Sequence, residues 1–121
     1  MHEFGEGQFP DGLAFGSEGK VWIAGVISNQ LLRIGPATGS SEIVLSETDS
    51  HHVAWVEEAF RANELGRPHM DSNPAVKLRN LSCIAFGGPD LQTGYLGCLL
   101  GDHIAEVRLV ARGTSPVHWL Y

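Results

Sequence analysis

A chain of 121 residues, 43% of them apolar, holds one domain's worth of core at most and is too apolar for intrinsic disorder. Eight basic against fourteen acidic residues give a net charge of −6, with no basic cluster to neutralise phosphates, which argues against a nucleic-acid partner. No apolar run approaches the ~18 residues of a membrane span, and Met1 is followed by polar residues and glycines rather than an apolar leader. The expectation is a soluble, cytoplasmic chain with no membrane partner.

Fifteen glycines and six prolines point to many turns and an all-β fold. The Phe9-Pro10-Asp11-Gly12 turn opens a first unit at 9–46, with strands expected over Gly12–Phe15, Val21–Val26, Gln30–Ile34 and Glu42–Ser46. Ser17-Glu18-Gly19 and Gly35-Pro36-Ala37-Thr38-Gly39 separate them as turns. An insertion spans 47–80. Its first half reads as a helix capped by Asp49 or Ser50, with Val53, Val56 and Phe60 as an apolar stripe and Glu57–Arg61 as an i,i+4 pair. Leu65-Gly66-Arg67-Pro68 reads as its stop, and Met70–Lys77 as loop.

A second unit spans 81–121, with strands expected over Ser82–Phe86, Gly94–Leu99, His103–Leu109 and Pro116–Leu120. It echoes the first. Leu13-Ala14-Phe15-Gly16 returns as Ile84-Ala85-Phe86-Gly87, and Leu31-Leu32-Arg33-Ile34 as Ile104-Ala105-Glu106-Val107. The opening strands of each copy are apolar on both faces. That suits sheets packed between other sheets, as in a β-propeller, better than a sandwich with one wet face. The reading is therefore a propeller-type partial fold of two four-stranded blades with a helical insertion.

In an up-and-down blade, alternate connections lie at opposite ends. Asp11, Asn29 in the second connection of the first unit, Ser82, and Asp102-His103 then share one end, beneath the insertion. These are the candidate site residues. Asp11 is either a plain Pro-Asp-Gly turn residue or a metal ligand. His51 and His52 read as solvated side chains, His69 as part of a loop, and His118-Trp119 as packing. Cys83 and Cys98 are too few for a disulfide framework, lack zinc spacing, and read as buried free thiols. No nucleophile elbow, P-loop or dinucleotide fingerprint is present.

The Pro10-Asp11-Gly12 opening, the strand pair after it, and the run Leu81-Ser82-Cys83-Ile84-Ala85-Phe86-Gly87-Gly88 through Gly101-Asp102 resemble the senescence marker protein/gluconolactonase/luciferin-regenerating-enzyme-like family, the regucalcin-like six-bladed propellers. The likeness covers most of the chain, as a C-terminal two-blade portion. It implies a divalent cation, usually calcium, and hydrolysis of a small-molecule lactone or ester by metal-activated water. Asp11 would be metal ligand and catalytic residue. The family's other ligands, an early Glu and Asn residues from middle blades, have no matching positions, and Gly16 stands where the family often has Asp. The alternative is a catalytically incomplete propeller fragment serving packing, binding or oligomerisation. Two blades leave apolar faces open, including some of Leu13, Phe15, Trp22, Ile23, Ile84 and Phe86, so self-association or upstream blades are expected as partners. A threefold ring is one closed form.

Overall fold

The computed structural model describes residues 2–120. The protein is mostly β, built from two antiparallel sheets with two helices in the chain segment that connects them. The first sheet is a meander of β1 (Pro10–Phe15), β2 (Val21–Gly25), β3 (Gln30–Gly35) and β4 (Ser40–Ser46). The second runs β5 (Leu81–Gly87), β6 (Thr93–Cys98) and β7 (Ala105–Arg108). Local chemistry makes the hairpins short. Gly19 (φ 75°) closes the β1–β2 turn by donating to Gly16 O, and Gly39 (φ 71°) closes the β3–β4 turn by donating to Gly35 O at 2.8 Å.

The sheets pack through β1 and β2 against β5. Trp22, Ala24 and Leu31 of the first meet Leu81, Ile84 and Leu96 of the second, with Leu78 of the insertion and Leu109 completing the core. Trp22 is fully buried, edge-on to Phe86 at 5.3 Å, with the Arg33 guanidinium 5.5 Å from its ring centroid. Burying each large side chain of this set contributes roughly 1.5–3 kcal/mol. Gly12 permits the close approach of the sheets: a Cβ there would lie 2.4 Å from Ser82 O. Of the six residues expected to line open faces, Trp22 and Ile84 are buried, Ile23 and Phe86 are half-buried, and Leu13 (56%) and Phe15 (59%) stand in solvent.

Among the described residues the second sheet has three strands rather than four. Val117–Leu120 is a 3₁₀ turn where the alternating sequence suggested a strand. The cause lies upstream. Leu109 N donates to Gln92 O, Gly113 N to Leu91 O, and Thr114 N to Phe15 O. The first of these prolongs the β6–β7 ladder by one rung, the last fastens the chain to the end of β1, and among the described residues no return along β7 follows.

The insertion holds α1 (Ser50–Arg61) and α2 (Arg67–Asp71). Asp49 caps α1, its Oδ1 accepting from His52 N at 2.7 Å. The helix ends earlier than the Gly66 signal. Asn63 takes the left-handed position (φ 57°), with Glu64 N on Ala59 O and Asn63 N on Phe60 O, a Schellman closure. Gly66 instead caps α2, so Met70 and Asp71 are helical rather than loop. The buried face of α1 is His52, Val56 and Ala59. Phe60 is 56% exposed, touching Phe9 edge-on at 5.5 Å, and so lies outside the packed stripe expected of it. His52, expected in solvent, is buried, its ring 5.9 Å from Trp55, which in turn lies 4.3 Å from His69. Among the described residues, no helix is long and apolar enough to cross a membrane.

Candidate functional site

The same irregularity marks the head of each sheet. Between Pro10 and Leu13 of β1, and between Leu81 and Cys83 of β5, the opening strand carries one residue more than its partner. Such a bulge releases a residue from the ladder and re-aims its side chain. The bulged stretches contain Asp11 and Ser82. Ser82 Oγ donates to Asp11 Oδ2 at 2.8 Å across the sheet junction. Asp11 is exposed and Ser82 half-buried, so the pair is a solvent-facing carboxylate with one oxygen held by a hydroxyl.

The insertion side of this end is fastened by a chain of buried amides. Asn29 Nδ2 donates to Asn73 Oδ1 at 2.9 Å, and Asn73 Nδ2 to Asn80 Oδ1 at 2.9 Å. Asn80 Nδ2 then donates to Met70 O at 2.6 Å, while Asn29 Oδ1 accepts from Leu81 N at 3.2 Å. All three residues are at least 98% buried. Asn29 and Asn80 adopt φ of 50° and 57°, a conformation their short polar side chains tolerate. Asn29 thus lies beneath this end with its amide fully engaged, tying the β2–β3 turn to the insertion and to β5.

Glu47, just after β4, accepts from Val76 N (2.9 Å), Lys77 N (3.0 Å) and Leu78 N (2.7 Å). Burial pushes its carboxyl upward, but these three amides and the Lys77 charge outweigh it and hold the group below its ordinary range. Asp102 and His103 form an exposed neighbour pair on the β6–β7 connection, Asp102 Oδ1 to His103 Nδ1 at 3.1 Å. The His103 hydrogen bond lowers the Asp102 carboxyl. Among the described residues, no hydrogen bond joins this pair to Asp11 or Ser82. The connection is nevertheless tied to the insertion through Leu99 N on Asn80 O and Leu100 N on Arg79 O.

Cys83 is exposed and Cys98 half-buried, where two buried thiols were expected. Burial first, then the nearby Cys83 and Glu47, raise the Cys98 thiol. Cys83 lies on the strand bearing the β5 bulge, whose ladder shift the sequence did not reveal.

Asn73, Asn80 and Glu47 were not singled out from the sequence. The one available cue was an Asn just ahead of an expected strand, at Asn29 directly before Gln30–Ile34 and at Asn80 two residues before Ser82–Phe86, a place where a left-handed residue can close a turn.

No protein-family model matches the chain, and no curated protein matches it.

A calcium ion takes about 6–8 oxygen ligands. The described residues bring one carboxylate and one hydroxyl to the sheet junction, and the Asn29 carbonyl is already occupied. Among the described residues, no group of three or more His, Cys, Asp or Glu is placed to hold a metal. The set at Asp11 therefore falls short of a complete cation shell.

Proposed function

We propose that this chain is a propeller-type segment that contributes Asp11 to a hydrolytic site for small lactones or esters of the gluconolactonase-like kind, the remaining donors coming from outside the described residues. The observation that carries this reading is the Asp11–Ser82 pair. Two equivalent bulges at the heads of two packed sheets aim a carboxylate and a hydroxyl at one another in solvent. Repetition of a bulge at equivalent places favours a shared site over an incidental turn. The resemblance around Pro10-Asp11-Gly12 supplies the reaction class. Meander sheets packed through their opening strands suit blades of a propeller. In this reading Ser82 fixes the rotamer of Asp11 and leaves Oδ1 free to accept a proton or join a cation shell.

A second reading is favoured by the shortage of ligands at Asp11: a packing or binding module in which the Asp11–Ser82 bond only joins the sheets. Exposed Leu13 and Phe15 beside the site would then be its working surface.

Hydrolysis of a sugar lactone and of an aryl ester, followed with and without calcium as chain concentration rises, separates the two. The hydrolase reading expects calcium-dependent turnover that grows more steeply than chain concentration and is lost in Asp11→Asn. Absence of hydrolysis at every concentration, or turnover indifferent to Asp11→Asn, would overturn it in favour of the module.

A further inference from the structure

Among the described residues, sheet one carries a fourth strand and sheet two does not. In the first sheet, Val44 and Leu45 of β4 pack against the common core beyond β3. Beside β7, a groove of ≈ 480 Å³ opens between the end of β4 and the faces of β6 and β7; its walls are apolar at Leu45, Leu78, Leu96, Ala105 and Val107 and polar at Ser46, Glu47 and Lys77. Ala105 and Val107 are only partly buried there. Among the described residues β7 pairs with β6 alone, so its other edge has no partner strand. An open edge beside an apolar groove is a template for one more strand.

The chain holds a segment of the matching kind. Pro116-Val117-His118-Trp119 alternates in the manner of a strand, yet it forms a 3₁₀ turn that leaves Val117 72% and Trp119 56% exposed. It is also held away from its own β7. Thr114 N on Phe15 O, Ser17 N on Arg112 O, and the Gly16–Gly113 bridge fasten its root to the end of β1. In the second sheet β5 is the strand against β1, and β6 lies between β5 and β7.

We infer that the 116–119 segment of a second copy of this chain docks on the free edge of β7 as the fourth strand of the second sheet, with Val117 and Trp119 entering the groove. Exchange is reciprocal, so two copies close a twofold dimer with two such contacts. The occupant is a second copy because the strand that fits is part of this chain and its root is fixed over β1. The inference stands on the strand count and the groove, and is independent of any activity at Asp11.

Sedimentation velocity from low to high micromolar concentration tests it. The native chain should pass from monomer to dimer. Trp119→Asp, at an exposed position, should weaken that association by about thirtyfold or more, the scale of a buried tryptophan hot spot. Val107→Lys, which places a charge in the groove, should do the same, with urea unfolding confirming that the variant folds. An equimolar mixture of the two variants should recover part of the dimer, because one intact tail meets one intact edge. If Val107→Lys does not fold, Trp119→Asp and competition by a peptide of residues 114–121 decide alone. A native chain that stays monomeric, a dimer indifferent to Trp119→Asp, or a monomer in which 116–119 protects its own β7 would overturn the inference.

Discussion

The two sheets begin alike and end differently. Each opens with a bulged strand, followed by a second strand antiparallel to it and a third antiparallel to the second. After β3 the chain turns at once, because Gly39 in the left-handed conformation lets Thr38 and Gly39 donate to Gly35 O. After β7, among the described residues, there is no such turn. Leu109 N on Gln92 O adds one last rung to the β6–β7 ladder, and Thr114 N on Phe15 O then fastens the chain to β1. The difference teaches that completion of a four-stranded sheet depends on the connection after the third strand as much as on the strands. Residues 116–119 have a strand's alternation without a strand's surroundings.

The comparison breaks most completely at the surface the sheets share. Trp22→Ala removes a fully buried ring at the junction of the two sheets, and should cost about 3–5 kcal/mol in urea unfolding. Both sheets should then lose protection together. If only one sheet loosens, they are separate cooperative units.

Asn73→Ala sharpens the comparison at the other fastening. It leaves Asn29 Nδ2 and Asn80 Oδ1 without their partner inside a buried network, an expected loss of about 2–3 kcal/mol. Because Asn73 links the β2–β3 turn to the start of β5, the loss should appear at that end of both sheets in amide exchange. A loss below about 0.5 kcal/mol would mean that water replaces the amide at no cost.

Glu47 gives the smallest effect and a pH signature. Its folded carboxyl lies below the ordinary value, so the unfolded chain binds the proton more readily. The stability it contributes is fully present above the ordinary glutamate range and is lost as pH falls through the depressed folded value. Glu47→Gln should therefore lower the unfolding midpoint slightly at neutral pH and bring the variant toward the native chain in acid. A difference between the two chains that is constant down to acid pH would show that the Val76–Leu78 amides do not depend on the charge.

Much of this architecture was legible in the sequence. Seven strands fall where apolar runs and Gly-bearing turns place them, and Asp49 caps the helix as its position before the apolar stripe suggested. Asp11 and Ser82 were both placed at one end by strand parity, and they meet there. Three features were not legible. The rotation of α1 that buries His52 and leaves Phe60 outside shows in the helix's buried face, not in the spacing of its apolar residues. Gly66 caps α2 because Asn63 had already closed α1. The lost fourth strand reflects hydrogen bonds of Gly113 to Leu91 and of Thr114 to Phe15 that no local pattern announces.

Amide hydrogen exchange of β3 and β7 at several chain concentrations tests the central contrast most directly. In β3, flanked by β2 and β4, protection should be high and independent of concentration. In β7 it should be low in dilute solution and rise with concentration, as a second copy supplies the missing strand. Equal and concentration-independent protection of the two strands would contradict the account.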